Sequence, residues 1–238
     1  MAGAAYLGQR ENPTRRGVSA LHASGGRRPV SSMNDFARYG VATVHEATGR
    51  RGMIDVPLIQ VVPRSRAAGP ARTVRCAQND NLMVHVALST VLPGEILVLT
   101  MPEPAPIALV GELIAIQAAY RNAAAILVDA AVRDVEALAA IGLPIWARWV
   151  RASGATKDSV GAINETVTVG GMRINAGDIL VLDADGGVVI PAAAKEAALN
   201  SAAERAAHED EARERYRSGS LAYDLLGLRV KVEGSSQP

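Results

Sequence analysis

A single cysteine, Cys76, stands among 238 residues. No intrachain disulfide can form, and such a chain suits a reducing cytoplasm. Aromatic residues make up 3% of the chain, so the core must rest on Val, Ile, Leu and Ala. No apolar run reaches the length of a membrane span. An excess of charge is missing too: the net value is +1, which argues against a nucleic-acid or membrane partner. Lysine is scarce. Only Lys157, Lys195 and Lys231 stand among 25 basic residues, a bias that reads as GC-rich coding rather than function. The four histidines, His22, His45, His85 and His208, lack the H-x-H or H-x₃-H spacing of a zinc centre. No glycine-rich loop follows a first strand, which argues against a nucleotide cofactor.

What is present is organised around GELIAIQAAYRNAAAILVDAAVRD, residues 111–134. Gly111 precedes a helix expected from Glu112 to about Asn122, with Leu113, Ile114, Ile116, Gln117 and Tyr120 on its packed side. Asn122 suits the left-handed closure of such a helix. A continuous apolar strand over 124–128 ends in Asp129. Val132, Arg133 and Asp134 then lead into a second helix, VEALAAIG.

A helix mouth exposes unpaired N–H groups, here those of Leu113 and Ile114, which suit a carboxylate or phosphate. Arg133 adds a planar cation able to hold a carboxylate or an enolate oxygen with two donors. Asp134, Glu112 and Asp129 offer the hard oxygen ligands that Mg²⁺ or Mn²⁺ prefers. Together they describe a site for a small 2-oxo acid on a divalent cation. Plainer roles stand beside this one. Asp134 can cap the helix it opens, Arg133 can be a solvated charge, and Glu112 can face the helix dipole. The residues alone leave both sets open.

The rest of the chain reads as one α/β domain. Residues 1–34 are rich in Gly, Ser, Pro and Arg and are expected to be an extension, flexible or upstream of a true start at Met33; a transit peptide is the other reading. Helices are expected over 35–39 and 43–48, broken by Gly40 and stopped at Gly49, with His45 a packed histidine. Strands are expected over 58–63 and 71–77. A helix capped by Asn79 or Asp80 runs through Leu92 with Leu82, Val86 and Met83 inward, and sets Asn81 and His85 on one face at i, i+4, as a structural pair or a pocket border. Two G-[DE]-I-L-V-L strands, at 94–99 and 177–182, hint at similarly built halves of a barrel-like sheet. Between them lie a proline-rich linker (101–110), a strand with Trp146 and Trp149 (144–151) and a Gly/Ser/Thr loop with Lys157 (154–161). Short strands follow at 166–169 and 188–190, and residues 183–187 form a hairpin turn. A long, charged helix is expected over 192–217, followed by a tail from Leu228.

The ordered set YGVATVHEATGR, NDNLMVHVAL, PGEILVL, GEL…VRD, GDILVLDADGGVVIP and HEDEARER resembles the class II pyruvate aldolases. These cleave 4-hydroxy-4-methyl-2-oxoglutarate and 4-carboxy-4-hydroxy-2-oxoadipate. They share their fold with the regulator of ribonuclease activity A. The resemblance implies a single RraA-like domain over 35–227: a swivelling β/β/α sandwich with a barrel-like sheet and a long C-terminal helix. It implies that Asp134 ligates Mg²⁺ or Mn²⁺ directly. Glu112 and Glu209 (Glu211 as fallback) act through bound waters, Glu209 from another subunit of a trimer or hexamer. Arg133 holds the 2-oxo group, and the N–H groups of Leu113 and Ile114 take its carboxylate beside Gly111. The family usually has Asp where this chain has Glu112, which bears on substrate choice.

A Schiff-base enzyme needs a desolvated lysine, and Lys157 sits in a polar loop. An oxygen-ligand metal site survives, and the resemblance implies metal-dependent cleavage of a 4-hydroxy-2-oxo diacid to release pyruvate, with oxaloacetate decarboxylation expected as a second activity. The rival is a metal-free protein that binds an RNase E-type ribonuclease. Methyltransferase, another label on this fold, is rejected for want of the nucleotide loop.

Overall fold

Three aliphatic runs stand out for their β-forming composition: ILVL at 96–99, AILV at 125–128 and ILVL at 179–182. In the computed structural model, which describes residues 33–234, all three are buried strands covered on both faces. The first half of the chain gives α1 (Met33–Ala47), β1 (Ile59–Gln60), β2 (Ala67–Arg75), α2 (Leu82–Thr90), β3 (Ile96–Thr100) and β4 (Ala108–Val110). Next come α3 (Glu112–Tyr120), β5 (Ala125–Val132), α4 (Val135–Ile141), β6 (Ile145–Val150), β7 (Ala162–Ile163), β8 (Val167–Val169) and β9 (Met172–Ile174). The chain continues through β10 (Ile179–Asp183), β11 (Gly186–Ile190), α5 (Lys195–Arg217), α6 (Ala222–Leu225) and α7 (Leu228–Gly234).

The main sheet runs in the order β1-β6-β5-β3-β2-β10-β11. Its centre is parallel and its outer pairs are antiparallel. Strand alternation divides the core. Leu97, Leu99, Ile126 and Val128 pack under α2, α3 and α4, while Ile96, Val98, Leu127 and Trp146 fill the inside of the curled sheet. On β10, Ile179 and Val181 turn instead to α1 and α5. The result is an α/β architecture with a curled sheet and a long C-terminal helix, as the resemblance implies.

One feature of this sheet builds the site. β3 pairs with β5 as far as Leu99↔Val128, and β4 then takes the same side of β5, with Val110 opposite Val132. Parallel neighbours end at the same edge. Gly111 therefore leaves β4 beside the point where Arg133 leaves β5, and Arg133 N–H donates to Val110 O at 3.0 Å.

Several expectations change. The expected extension over 1–34 lies outside the described residues, except that Met33 and Asn34 open α1. The proline-rich linker ends in β4 rather than a plain connector. On α3, Leu113 (73% exposed), Ile116 and Tyr120 (85%) point outward, and Ile114, Ala115 and Ala118 pack inward. Gln117, also expected inward, is exposed as well. Glu112 and Gln117 are the polar positions of that helix before its terminal tyrosine, too few for periodicity to choose its face, and the alanines allow close packing on the sheet. On α2, Val86 likewise faces out, and Met83, Val84, Ala87 and Leu88 face in. The two ILVL strands flank β2, one parallel and one antiparallel, so they are not equivalent halves. The tail from Leu228 forms α7. Gly40 does break α1, at φ 83, and no helix among the described residues is long and apolar enough to cross a membrane.

Candidate active site

Asp134 stands at the N-cap position of α4 in the left-handed region (φ 59, ψ 39), yet its side chain makes no capping bond. The carboxylate crosses instead to the mouth of α3, where Oδ2 accepts from Glu112 N–H at 3.1 Å. The simple cap is thus overturned. A left-handed aspartate is strained by about 1–2 kcal/mol, and here that conformation delivers the carboxylate to a neighbouring helix.

Arg133 lies beside it, Nε to Asp134 Oδ2 at 3.6 Å, with side chains 50% and 44% exposed. Two glycines flank this pair. Gly111 has ordinary extended φ, so its need is room: a Cβ there would sit 2.6 Å from Asp134 Oδ2 and 3.1 Å from Arg133 Nε. A Cβ on Gly154 would sit 2.7 Å from Arg133 Nη1. The guanidinium thus occupies a slot between them, with no protein partner but Asp134 among the described residues.

The two N–H groups expected at the helix mouth differ. Leu113 N–H has no protein partner among the described residues, whereas Ile114 N–H turns back to Gly111 O at 3.2 Å. A carboxylate therefore finds Leu113 free and Ile114 partly engaged. A cavity of about 370 Å³ opens here, lined by Gly111, Glu112, Leu113, Ile114, Arg133 and Asp134. Asn81, at the N-cap of α2, and His85 on that helix border the same cavity, as does Lys157.

Asp80 holds the Lys157 loop. Its Oδ2 accepts from Thr156 Oγ1 (2.7 Å), Asp158 N–H (2.6 Å) and Ser159 N–H (3.1 Å), and its Oδ1 from Leu82 N–H (2.8 Å). Burial alone would push this carboxyl up, but those donors together bring it down to about 2. Local sequence suggests a cap at Asn79 or Asp80, whereas Asn81 takes the N-cap position of α2. The hold on the loop leaves no local trace, because those partners lie more than seventy positions away.

Two acids stay apart from the cavity. Asp129 is buried and paired with Arg148 at 3.1 Å, so it is no ligand at the mouth of α3. Burial pushes its carboxyl up, against the pull of Arg148. Glu209 sits on α5, accepting from Thr43 Oγ1 at 2.9 Å and pairing with Arg205 at 2.9 Å. Within one chain it does not meet Arg133. Glu211 is exposed on the same helix. His45, expected to be packed, is only half-buried, and its Nδ1 lies 3.2 Å from Arg51 O.

No group of three acids, histidines or cysteines is spaced to enclose a metal among the described residues. The donor set fits a sparser arrangement. Asp134 Oδ1 is without a protein partner, and Glu112 lines the same cavity. One or two carboxylates completed by water and substrate oxygens suit Mg²⁺, which keeps much of its hydration.

The RraA-like model (Aldolase/RraA) matches residues 41–189, and the chain belongs to that family. It is 34% identical over 173 residues to a Halalkalibacterium halodurans protein provisionally named 4-hydroxy-4-methyl-2-oxoglutarate aldolase, covering 73% of this chain and 80% of that protein. The solved Streptomyces coelicolor RraAS2, described as an unusual member of the RNase ES inhibitor RraA family, is 26% identical at a TM-score of 0.68. That match covers 77% of this chain and 96% of the other. A Geobacillus kaustophilus structure described as an S-adenosylmethionine:2-dimethylmenaquinone methyltransferase is 29% identical at a TM-score of 0.56, over 58% and 86% of the two chains.

Proposed function

We propose that this chain is a divalent-metal-dependent aldolase that cleaves 4-hydroxy-4-methyl-2-oxoglutarate or 4-carboxy-4-hydroxy-2-oxoadipate and releases pyruvate. The observation that carries the reading is the Arg133 guanidinium, slotted between Gly111 and Gly154 with Asp134 at its side and a free N–H at Leu113. The provisional aldolase name of the Halalkalibacterium halodurans relative supports the same chemistry.

Breaking the C3–C4 bond leaves its electron pair on a pyruvate enolate, and the barrier falls when that charge meets preorganised donors. Arg133 directs two N–H donors at the 2-oxo oxygen. Leu113 N–H, at the positive end of α3, takes the C1 carboxylate. Asp134 Oδ1 and Glu112 would hold Mg²⁺ or Mn²⁺, which as a Lewis acid polarises the 2-oxo group when bound. Lys157, at the cavity border, supplies a positive charge for the far carboxylate of a diacid. Oxaloacetate, whose decarboxylation gives the same enolate, is the expected second substrate.

Glu209 acts, in this reading, in a neighbour's site within a trimer or a dimer of trimers. Mixing Asp134→Ala with Glu209→Ala subunits should then restore some activity, since some sites regain both residues. No recovery despite verified subunit exchange counts against sharing. The second reading, a regulator binding an RNase E-type enzyme, draws on the Streptomyces coelicolor relative.

The test is pyruvate release from both hydroxy acids and from oxaloacetate, with EDTA and with Mg²⁺ restored. Activity that vanishes in chelator and returns with metal supports the aldolase. Full activity in EDTA, or substrate trapped on Lys157 by borohydride, overturns it. Inactivity on all three, with capture of the ribonuclease, favours the regulator.

A further inference from the structure

Two polar atoms at the border of the cavity have nothing to bond. Asn81 is 6% exposed; its Nδ2 donates to Leu109 O at 3.0 Å, and its Oδ1 is left without a partner. One turn along α2, the buried Nε2 of His85 also has none. Each orphan of this kind costs about 1–3 kcal/mol, and native interiors keep few of them. Neither atom serves the fold as it stands. Both residues line the cavity that also holds Arg133, Asp134 and Leu113, and their i, i+4 spacing puts them on one helix face.

The chemistry of the pair selects what satisfies it. Asn81 Oδ1 is an amide oxygen and can only accept, and the bond from Nδ2 to Leu109 O fixes which end of the amide is left unpartnered. A carboxylate, which only accepts, is repelled there. A hydroxyl fits: its O–H donates to Asn81 Oδ1, and its oxygen accepts from His85 in the tautomer that carries the proton on Nε2. A methyl group or hydrogen in its place leaves both orphans unsatisfied.

We infer that Asn81 and His85 form a clamp for the C4 hydroxyl of the substrate and set the preference for 4-hydroxylated 2-oxo acids. This rests on the aldolase reading, in which Arg133 and Leu113 hold the C1–C2 end and C4 lies two bonds beyond C2. Before C3–C4 breaks, the C4 O–H gives its proton to solvent water in the open cavity, and the His85 donor stabilises the alkoxide that remains. As the bond breaks, the C4 oxygen becomes the carbonyl oxygen of the leaving 2-oxo acid and the electron pair passes to the pyruvate enolate. His85 is thus a donor to the reacting hydroxyl, not a base that removes its proton. Sites that hydrogen-bond a substrate hydroxyl discriminate strongly against analogues lacking it, because those leave polar groups unpaired.

The experiment compares His85→Leu, which removes the donor, with His85→Gln, whose amide can still donate. The readouts are kcat/KM for 4-hydroxy-4-methyl-2-oxoglutarate, the inhibition constant of 2-oxoglutarate, which lacks the hydroxyl, and the melting temperature. His85→Leu should lose about 10–100-fold in kcat/KM, the equivalent of one hydrogen bond to a charging oxygen. Its inhibition constant for 2-oxoglutarate should change little, and its fold should not be weakened, since an orphan has been removed. His85→Gln should recover most of the loss. Equal losses for both ligands, a collapse in melting temperature, or a glutamine variant as poor as the leucine one overturns the clamp. A wild-type chain that cleaves no 4-hydroxy acid sinks the aldolase reading instead, and the clamp falls with it.

Discussion

β5 and its exit carry two aspartates, each beside an arginine, and the two pairs differ in what they leave over. Asp129 is 3% exposed and bonded to Arg148, which also stacks on the Trp149 ring at 4.8 Å. Charge, hydrogen bond and π-face are all matched inside that cluster. Asp134 and Arg133 are half in water, 3.6 Å apart, with one carboxylate oxygen and most of the guanidinium uncommitted. A loose, solvated pair adds little stability, yet this one is held in a left-handed residue and a two-glycine slot. The same residue types are structural where their valences are closed and chemical where they stay open.

The comparison can be broken most forcefully at Asp134. Asp134→Ala should lose essentially all pyruvate release, while Asp129→Ala should keep the turnover of whatever remains folded. Next comes Arg133→Lys, which keeps the charge but loses the planar fork. Its kcat should fall about 10²–10³-fold with metal affinity little changed. A normal kcat with a raised KM would mean that Arg133 only binds substrate.

Gly154→Ala sharpens the case for the slot. A Cβ only 2.7 Å from Arg133 Nη1 must displace the guanidinium, and a shift of order 1 Å can cost up to about 10²-fold in rate. Melting should stay near wild type if the loop absorbs the methyl. The closed pair answers in stability instead. Asp129→Ala should cost about 2 kcal/mol in a denaturant titration, below the range for fully buried pairs because Arg148 is 25% exposed. The smallest effect concerns pH. Asp80 is lowered from 3.8 to about 2, so its contribution is whole above about pH 4 and is lost as pH falls through about 2. Asp80→Asn should flatten that acid limb of the stability curve.

Much of this was legible in the sequence, and the parts that were not share a cause. The helix mouth at Gly111, the left-handed Asn122 (φ 58) and the break at Gly40 follow from local chemistry. The Arg133–Asp134 dipeptide could be picked out as chemistry, but its geometry could not. Which helix the carboxylate serves depends on β4 running beside β5, a pairing of residues more than twenty positions apart. Gly154 and Asp80 escaped for the same reason, since each acts on a partner distant in sequence. The outward positions of Leu113, Ile116, Gln117 and Tyr120 are not legible because α3 has too few polar residues to mark a face. Asn81 and His85 were visible as an i, i+4 pair, and only their missing partners in the folded chain give that spacing a use.

The central claim is that Asp134, not Asp129, holds the catalytic cation at the mouth of α3. The direct measurement is Mn²⁺ binding followed by electron paramagnetic resonance on wild type, Asp134→Ala and Asp129→Ala, with pyruvate release read from the same samples. Wild type and folded Asp129→Ala should bind Mn²⁺ and turn over, and Asp134→Ala should do neither. An Asp134→Ala protein that binds Mn²⁺ as tightly as wild type and still releases pyruvate would contradict the account.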